Sequence, residues 1–210
     1  MIDVYYTALK QTWTLATVNE RMRVLPDELQ AKNLRYRFWE DRCRHLLGKL
    51  MLVEGLRRYK MDKECLKQLR YNRYGRPSLD GTVDFNISHS GEHVVCVVAN
   101  HAKVGVDIEK RKPVDFKDFT NVMSRVQWMR IKGSADPTRT FFDYWAAKES
   151  VIKADGRGMS APVRDICIED KRAILEGKEW FLTSPSLFSD SSFCIASDRP
   201  LPIRISRVNL

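Results

Sequence analysis

Six consecutive apolar residues, Val94-Val95-Cys96-Val97-Val98-Ala99, constrain the fold more than any other segment. Neighbouring side chains of a strand point to opposite faces, so an unbroken apolar run fits a strand covered on both. Just before it, Val83, Phe85 and Ile87 alternate with Asp84, Asn86 and Ser88, and Ser90-Gly91-Glu92 supplies a turn. Residues 83–99 therefore read as a hairpin.

Around that hairpin the chain divides into two similar halves, 1–101 and 102–210, each opening with a strand, passing through helices and ending in strands. The predicted fold class is α/β (α+β), with a small sheet packed against helices in each half. In the first half the opening strand is 3–9. A long helical region spans about 26–59, with Leu46, Leu50 and Val53 at helical spacing, and a loop at 71–80 carries Tyr74-Gly75-Arg76-Pro77. The second half opens with a strand at 104–109 and continues with helical stretches at 116–131 and 137–155. Strands are expected near 164–169, 193–197 and 203–208.

Two hundred and ten residues suffice for one large domain or two of about 100. With 43% hydrophobic and 30% charged residues the chain is globular rather than disordered. No segment approaches the roughly 20 apolar residues of a membrane helix. Met1-Ile2-Asp3-Val4-Tyr5-Tyr6 lacks the basic-then-apolar order of a signal peptide. Cys43, Cys65, Cys96, Cys167 and Cys194 are odd in number and widely spaced, with no C-x-x-C, which argues against disulfides and zinc and for a cytoplasmic location. The net charge of +9 implies an acidic partner: nucleic acid, anionic lipid, an acidic protein or a polyphosphate.

The chemistry concentrates in two segments, Gly105-Val106-Asp107-Ile108-Glu109 and Trp145-Ala146-Ala147-Lys148-Glu149-Ser150. In a strand, Val104, Val106 and Ile108 share one face, and Gly105, Asp107 and Glu109 the other. Gly105 is expected to leave open space beside Asp107. In the helix, Asp136 reads as N-cap, Pro137 as first residue and Gly156 as stop. Phe142, Trp145, Glu149 and Ile152 fall on one face, with Glu149 in an apolar slot and Lys153 four residues on. Taken singly, the Asp-x-Glu pair could be the wet face of an edge strand, and Glu149–Lys153 a surface ion pair. Together they offer oxygen ligands beside lysines, which suits Mg²⁺ carrying a phosphate-bearing substrate. No Cys or His neighbours them, as zinc would want.

Other candidates are weaker. Ser88 and His89, at a strand end, could donate to a phosphate. Gly75-Arg76-Pro77 could be a plain turn or a loop presenting Arg76 to phosphate or adenine. Lys110-Arg111-Lys112 could steer acidic ligands, and among Lys32, Arg35, Arg37, Arg42 and Arg44 one or two could face a cleft between the halves.

In order and spacing, Tyr74-Gly75-Arg76-Pro77, Phe85-Asn86-Ile87-Ser88-His89-Ser90-Gly91, Gly105–Glu109 and Trp145–Ser150 with Lys153 resemble the 4'-phosphopantetheinyl transferases of the Sfp type, over roughly residues 25–160. The resemblance implies a pseudo-twofold arrangement of two α/β halves with coenzyme A between them. It implies Mg²⁺-dependent transfer of phosphopantetheine to a serine of an acidic acyl or peptidyl carrier protein, of fatty-acid, polyketide or non-ribosomal-peptide synthesis, leaving adenosine 3',5'-bisphosphate. It implies Asp107, Glu109 and Glu149 as metal ligands, Glu149 also as base, and Lys153 on the pyrophosphate, with Lys148 beside it. Ser88 and His89 would contact the 3'-phosphate end, and Gly75, Arg76 and Pro77 the nucleotide. Lys32 and Arg44 are matched by position. A monomer is expected, with no membrane and no nucleic acid.

One departure stands out. The family often carries an acid in a Ser-Lys-x-Glu context, where this chain reads Ser124-Arg125-Val126-Gln127, and an amide cannot act as a base. The competing readings are a basic nucleic-acid-binding protein or metal-dependent nuclease, and a non-catalytic relative that binds carrier protein.

Overall fold

The structure, a computed structural model, describes residues 1–9 and 13–210. The chain runs through β1 (Ile2–Ala8), α1 (Leu15–Met22), α2 (Asp27–Leu34), α3 (Trp39–Arg57), β2 (Arg70–Tyr71), β3 (Pro77–Ser78), β4 (Val83–Ser90), β5 (His93–Asn100) and β6 (Val104–Lys110). It continues through α4 (Arg125–Lys132), α5 (Pro137–Asp155), β7 (Cys167–Glu169), β8 (Arg172–Leu175), β9 (Lys178–Thr183), β10 (Ser191–Ser197) and β11 (Ile203–Arg207). One sheet has the order β11-β1-β5-β4 and the other β6-β10-β9-β8-β7, with β2 and β3 as a separate ribbon. The fold is mixed α/β, as expected. β11 crosses back from the second half to pair in parallel with β1.

The apolar run explains the layering. Val94, Cys96 and Val98 of β5 join the core under α3, while Val95, Val97 and Ala99 join Val104, Val106, Ile108, Phe193 and Ile195 in a core between the two sheets. Both faces of the strand are dry, and that central layer binds the halves together. A third core lies between α5 and the second sheet, around Trp180 and Val151.

The 137–155 helix forms as read: the Asp136 side chain accepts from the Arg139 amide, Pro137 opens the helix, and Gly156 closes it at φ 89°. The region 26–59 is two helices rather than one. Asp27 and Glu28 begin α2, and Glu40 and Asp41 begin α3, each pair complementing a helix N-terminus. The buried Asn33 amide donates to the Arg42 carbonyl at 2.7 Å and staples the two across the break. The stretch 116–131 also splits, because Ser124 caps a new helix at Arg125 while Phe116–Phe119 makes only a 3₁₀ turn. The strand expected from 164 starts at Cys167, since Val163–Asp165 is a 3₁₀ turn. α1 and the β8–β9 hairpin were not anticipated.

Candidate functional site

The site is built on the seam between β4 and β6. These strands end their respective sheets and share no backbone ladder. Instead, every second side chain of β4 reaches an amide of β6. Val104 N–H donates to Asp84 Oδ2 (2.9 Å), Val106 N–H to Asn86 Oδ1 (3.0 Å), Ile108 N–H to Ser88 Oγ (3.4 Å) and Lys110 N–H to Ser90 Oγ (3.0 Å). The polar phase of the alternation, which reads as a solvent face, is the joint between the sheets.

On the other face of β6, α5 comes very close. A Cβ on Gly105 would lie 2.1 Å from the Ser150 carbonyl oxygen and 2.4 Å from the Ala154 amide nitrogen. The space beside Asp107 is therefore filled by helix backbone, not open. That contact sets Glu149 and Lys153 of α5 over Asp107 and Glu109 of β6.

Asp107 is buried at 3% exposure, and its Oδ1 accepts from Lys153 Nζ at 2.5 Å and from Ser88 Oγ at 3.0 Å. Its Oδ2 is buried with no hydrogen-bond partner among the described residues. Glu109 accepts from Trp145 Nε1 and Ser90 Oγ, both at 3.3 Å. Glu149 is half-buried beside them. Burial raises the pKa of all three acids; the charge of Asp107 adds to the rise for Glu109 and Glu149, and Lys153 opposes it for all three. Three carboxylates facing one ammonium, one of them with an orphaned buried oxygen, fit a hard divalent cation, since an unpaired buried anionic oxygen is costly. Among the described residues, the group of three such side chains with ligand atoms within 4.8 Å of one another is Glu92, His93 and Asp190, tied together by Lys110. The oxygens of Asp107, Glu109 and Glu149 do not come that close to one another, and Lys153 holds Asp107 Oδ1.

Beside the acids lies a basic region. His89 is exposed at the end of β4, and desolvation with the charges of Arg44 and Lys153 lowers its pKa. Arg44 is fixed by the Gly91 carbonyl at 2.8 Å and by Asp41. Lys32 is exposed, over the Tyr71 ring at 5.0 Å, on the wall of a cavity of about 710 Å³ shared with Arg35 and Tyr36. Behind them stand His45 and Lys49, which the motif reading passed over. The Asn33 amide donates to His45 Nδ1 at 3.1 Å, so the ring proton sits on Nε2, which is buried with no partner among the described residues. Burial pulls His45 down to about 4, helped by Lys49, Lys32 and His89, and burial pulls Lys49 to about 8. A buried N–H donor ringed by cations suits an anionic acceptor. The helical spacing of His45 and Lys49 was a visible signal, hidden by apolar neighbours.

Three predicted residues are used differently from expectation. Arg76 turns inward: it grips Asp84 through both Nη atoms (3.0 and 2.8 Å) and donates to the carbonyls of Lys153 (2.8 Å) and Val104 (3.1 Å). Little of its donor fork is left for a ligand, and Gly75 and Pro77 flank it in a tight turn, Gly75 at φ 82°. Lys148, read as ligand-facing, is fully buried on the far side of α5, because one residue along a helix is about 100° of rotation. Its ammonium donates to the Val122, Val163 and Arg164 carbonyls, and burial lowers its pKa to about 8. Gln127 completes a capping box with Ser124 and donates from Nε2 to the Ile166 carbonyl at 2.9 Å. It is buried within α4's own cap.

A family model for the 4'-phosphopantetheinyl transferase superfamily matches residues 103–196. The chain is similar to the 4'-phosphopantetheinyl transferase gsp of Aneurinibacillus migulanus, 36% identical over 68% of this chain and 60% of that protein. It is similar to Sfp of Bacillus subtilis (strain 168), 34% identical over 69% of this chain and 66% of the relative. It is also similar to the transferase ffp of Bacillus subtilis, 30% identical over 74% of this chain and 72% of the relative. The chain thus spans less than two thirds of the length of the first two, 60% and 66%.

Proposed function

The chain belongs to the 4'-phosphopantetheinyl transferase superfamily, and from that premise we propose that it moves phosphopantetheine from coenzyme A to a serine of an acyl or peptidyl carrier protein, with Mg²⁺, releasing adenosine 3',5'-bisphosphate. The observation that supports this most is Asp107, buried with one orphaned oxygen and paired with Lys153, beside two further acids whose pKa burial raises.

Asp107, Glu109 and Glu149 would hold the divalent ion, which when bound draws off charge from the diphosphate oxygens. The residues of the chain do the rest. Glu149, half-buried beside Asp107 and Glu109, takes the proton from the carrier serine. The serine oxygen then bonds to the pantetheine-bearing phosphorus, and the bond from that phosphorus to the bridging oxygen breaks. The electron pair leaves on the 5'-phosphate of adenosine 3',5'-bisphosphate, where Lys153 offsets it. His89, Lys32 and Arg44, with His45 Nε2–H, receive the 3'-phosphate end of coenzyme A; Ser88, expected there too, is buried with its hydroxyl proton given to Asp107 and serves the acid end instead. The net charge of +9 attracts an acidic carrier. Gln127 serves its helix cap and does not itself argue for a non-catalytic relative.

Incubation with coenzyme A, Mg²⁺ and a panel of apo carrier proteins is expected to add phosphopantetheine to at least one, read by intact-protein mass spectrometry. No mass gain on any carrier would sink the proposal. Asp107→Ala and Glu149→Gln are each expected to lower the rate at least about 10²-fold; retained transfer in both would refute the site.

A further inference from the structure

Lys153 sits where a cation belongs. Its ammonium is 2.5 Å from Asp107 Oδ1 and 3.0 Å from Ser88 Oγ, and it is 28% exposed over a carboxylate that is 4% exposed. An ion arriving from solvent meets Lys153 before it meets Asp107. An ammonium and a dication sharing one buried carboxylate repel each other strongly, since little water screens them. An incoming anion is a better receiver for Lys153 than water, since Glu149, four residues back on the same helix, makes no hydrogen bond to it among the described residues.

We propose that Lys153 is a placeholder cation which competes with the divalent ion for Asp107, so that the ion binds tightly only when the diphosphate of coenzyme A draws Lys153 away. This rests on the functional reading above and adds to it an order and a coupling: diphosphate and metal enter as a pair. Ser88 is the pivot, because its hydroxyl touches Lys153, Asp107 and the Ile108 amide at once.

The coupling has a thermodynamic signature apart from catalysis. Mn²⁺ binding to the full chain would be titrated calorimetrically, with and without coenzyme A, for the wild type and for Lys153→Gln. In the wild type, coenzyme A is expected to tighten Mn²⁺ binding roughly five- to hundredfold. In Lys153→Gln, Mn²⁺ alone binds more tightly than to the wild type, and coenzyme A adds much less. Lys153→Arg keeps the ion pair and is expected to behave as the wild type, which answers the case in which Lys153→Gln fails to fold. Equal or weaker Mn²⁺ binding by Lys153→Gln, or a Lys153→Arg protein that binds Mn²⁺ tightly without coenzyme A, overturns the placeholder role and leaves the transferase reading standing. Failure of every protein to bind Mn²⁺, even with coenzyme A, overturns both.

Discussion

At the scale of single residues, chemistry is set by which partner a polar atom lacks. Asp107 Oδ2 and His45 Nε2 are both buried without a hydrogen-bond partner among the described residues, and in the proposed function they serve the metal and the 3'-phosphate. His45 carries a pH consequence. Its folded pKa of about 4 lies below the ordinary 6.5, so between these values the unfolded chain binds a proton that the fold refuses. Stability contributed by neutral His45 is therefore present above pH 6.5 and lost as pH falls towards 4, on the order of 2–3 kcal/mol. His45→Gln is expected to flatten the pH dependence of the urea midpoint across that window and leave it unchanged near pH 8. The motifs revealed the acids because alternation and helical spacing are local. Helix rotation alone turns Lys148 away from Glu149; what the motifs could not reveal is that distant carbonyls hold its ammonium and that Arg76 is occupied.

At the scale of elements, the helices were readable where capping chemistry is explicit and blurred where it was overlooked. α5 was read from Asp136, Pro137 and Gly156. The break between α2 and α3 was missed although Glu40 and Asp41 announce a new N-terminus. Gln127 belongs to this scale. Its carbonyl oxygen accepts from the Ser124 amide, while its nitrogen donates to Ile166. Gln127→Glu keeps the first bond, loses the second and buries a carboxylate against a carbonyl. It is expected to destabilise by about 1–3 kcal/mol in chemical denaturation. Restored rather than reduced stability would show that the amide's donor has no structural use here.

At the scale of the whole molecule, two sheets share one dry layer and a line of polar joints. Arg76 fastens that line: its grip on Asp84, with side chains 10% and 6% exposed, reaches at the same time to β6 and to the last turn of α5. Arg76→Ala strands a buried carboxylate and is expected to cost roughly 3–5 kcal/mol, seen as a lower guanidinium midpoint, with Arg76→Ala/Asp84→Asn recovering part of the loss. The line of joints has a further effect. Bare edge strands invite foreign strands to add on, the first step towards aggregation. Here β6 has its amides at 104, 106, 108 and 110 already stoppered by short side chains from β4. The other two sheet ends are β7, three residues long, and β11, which carries Arg204 and Arg207. The same alternation that places Ser88 beside the acids thus closes the β6 edge to an added strand.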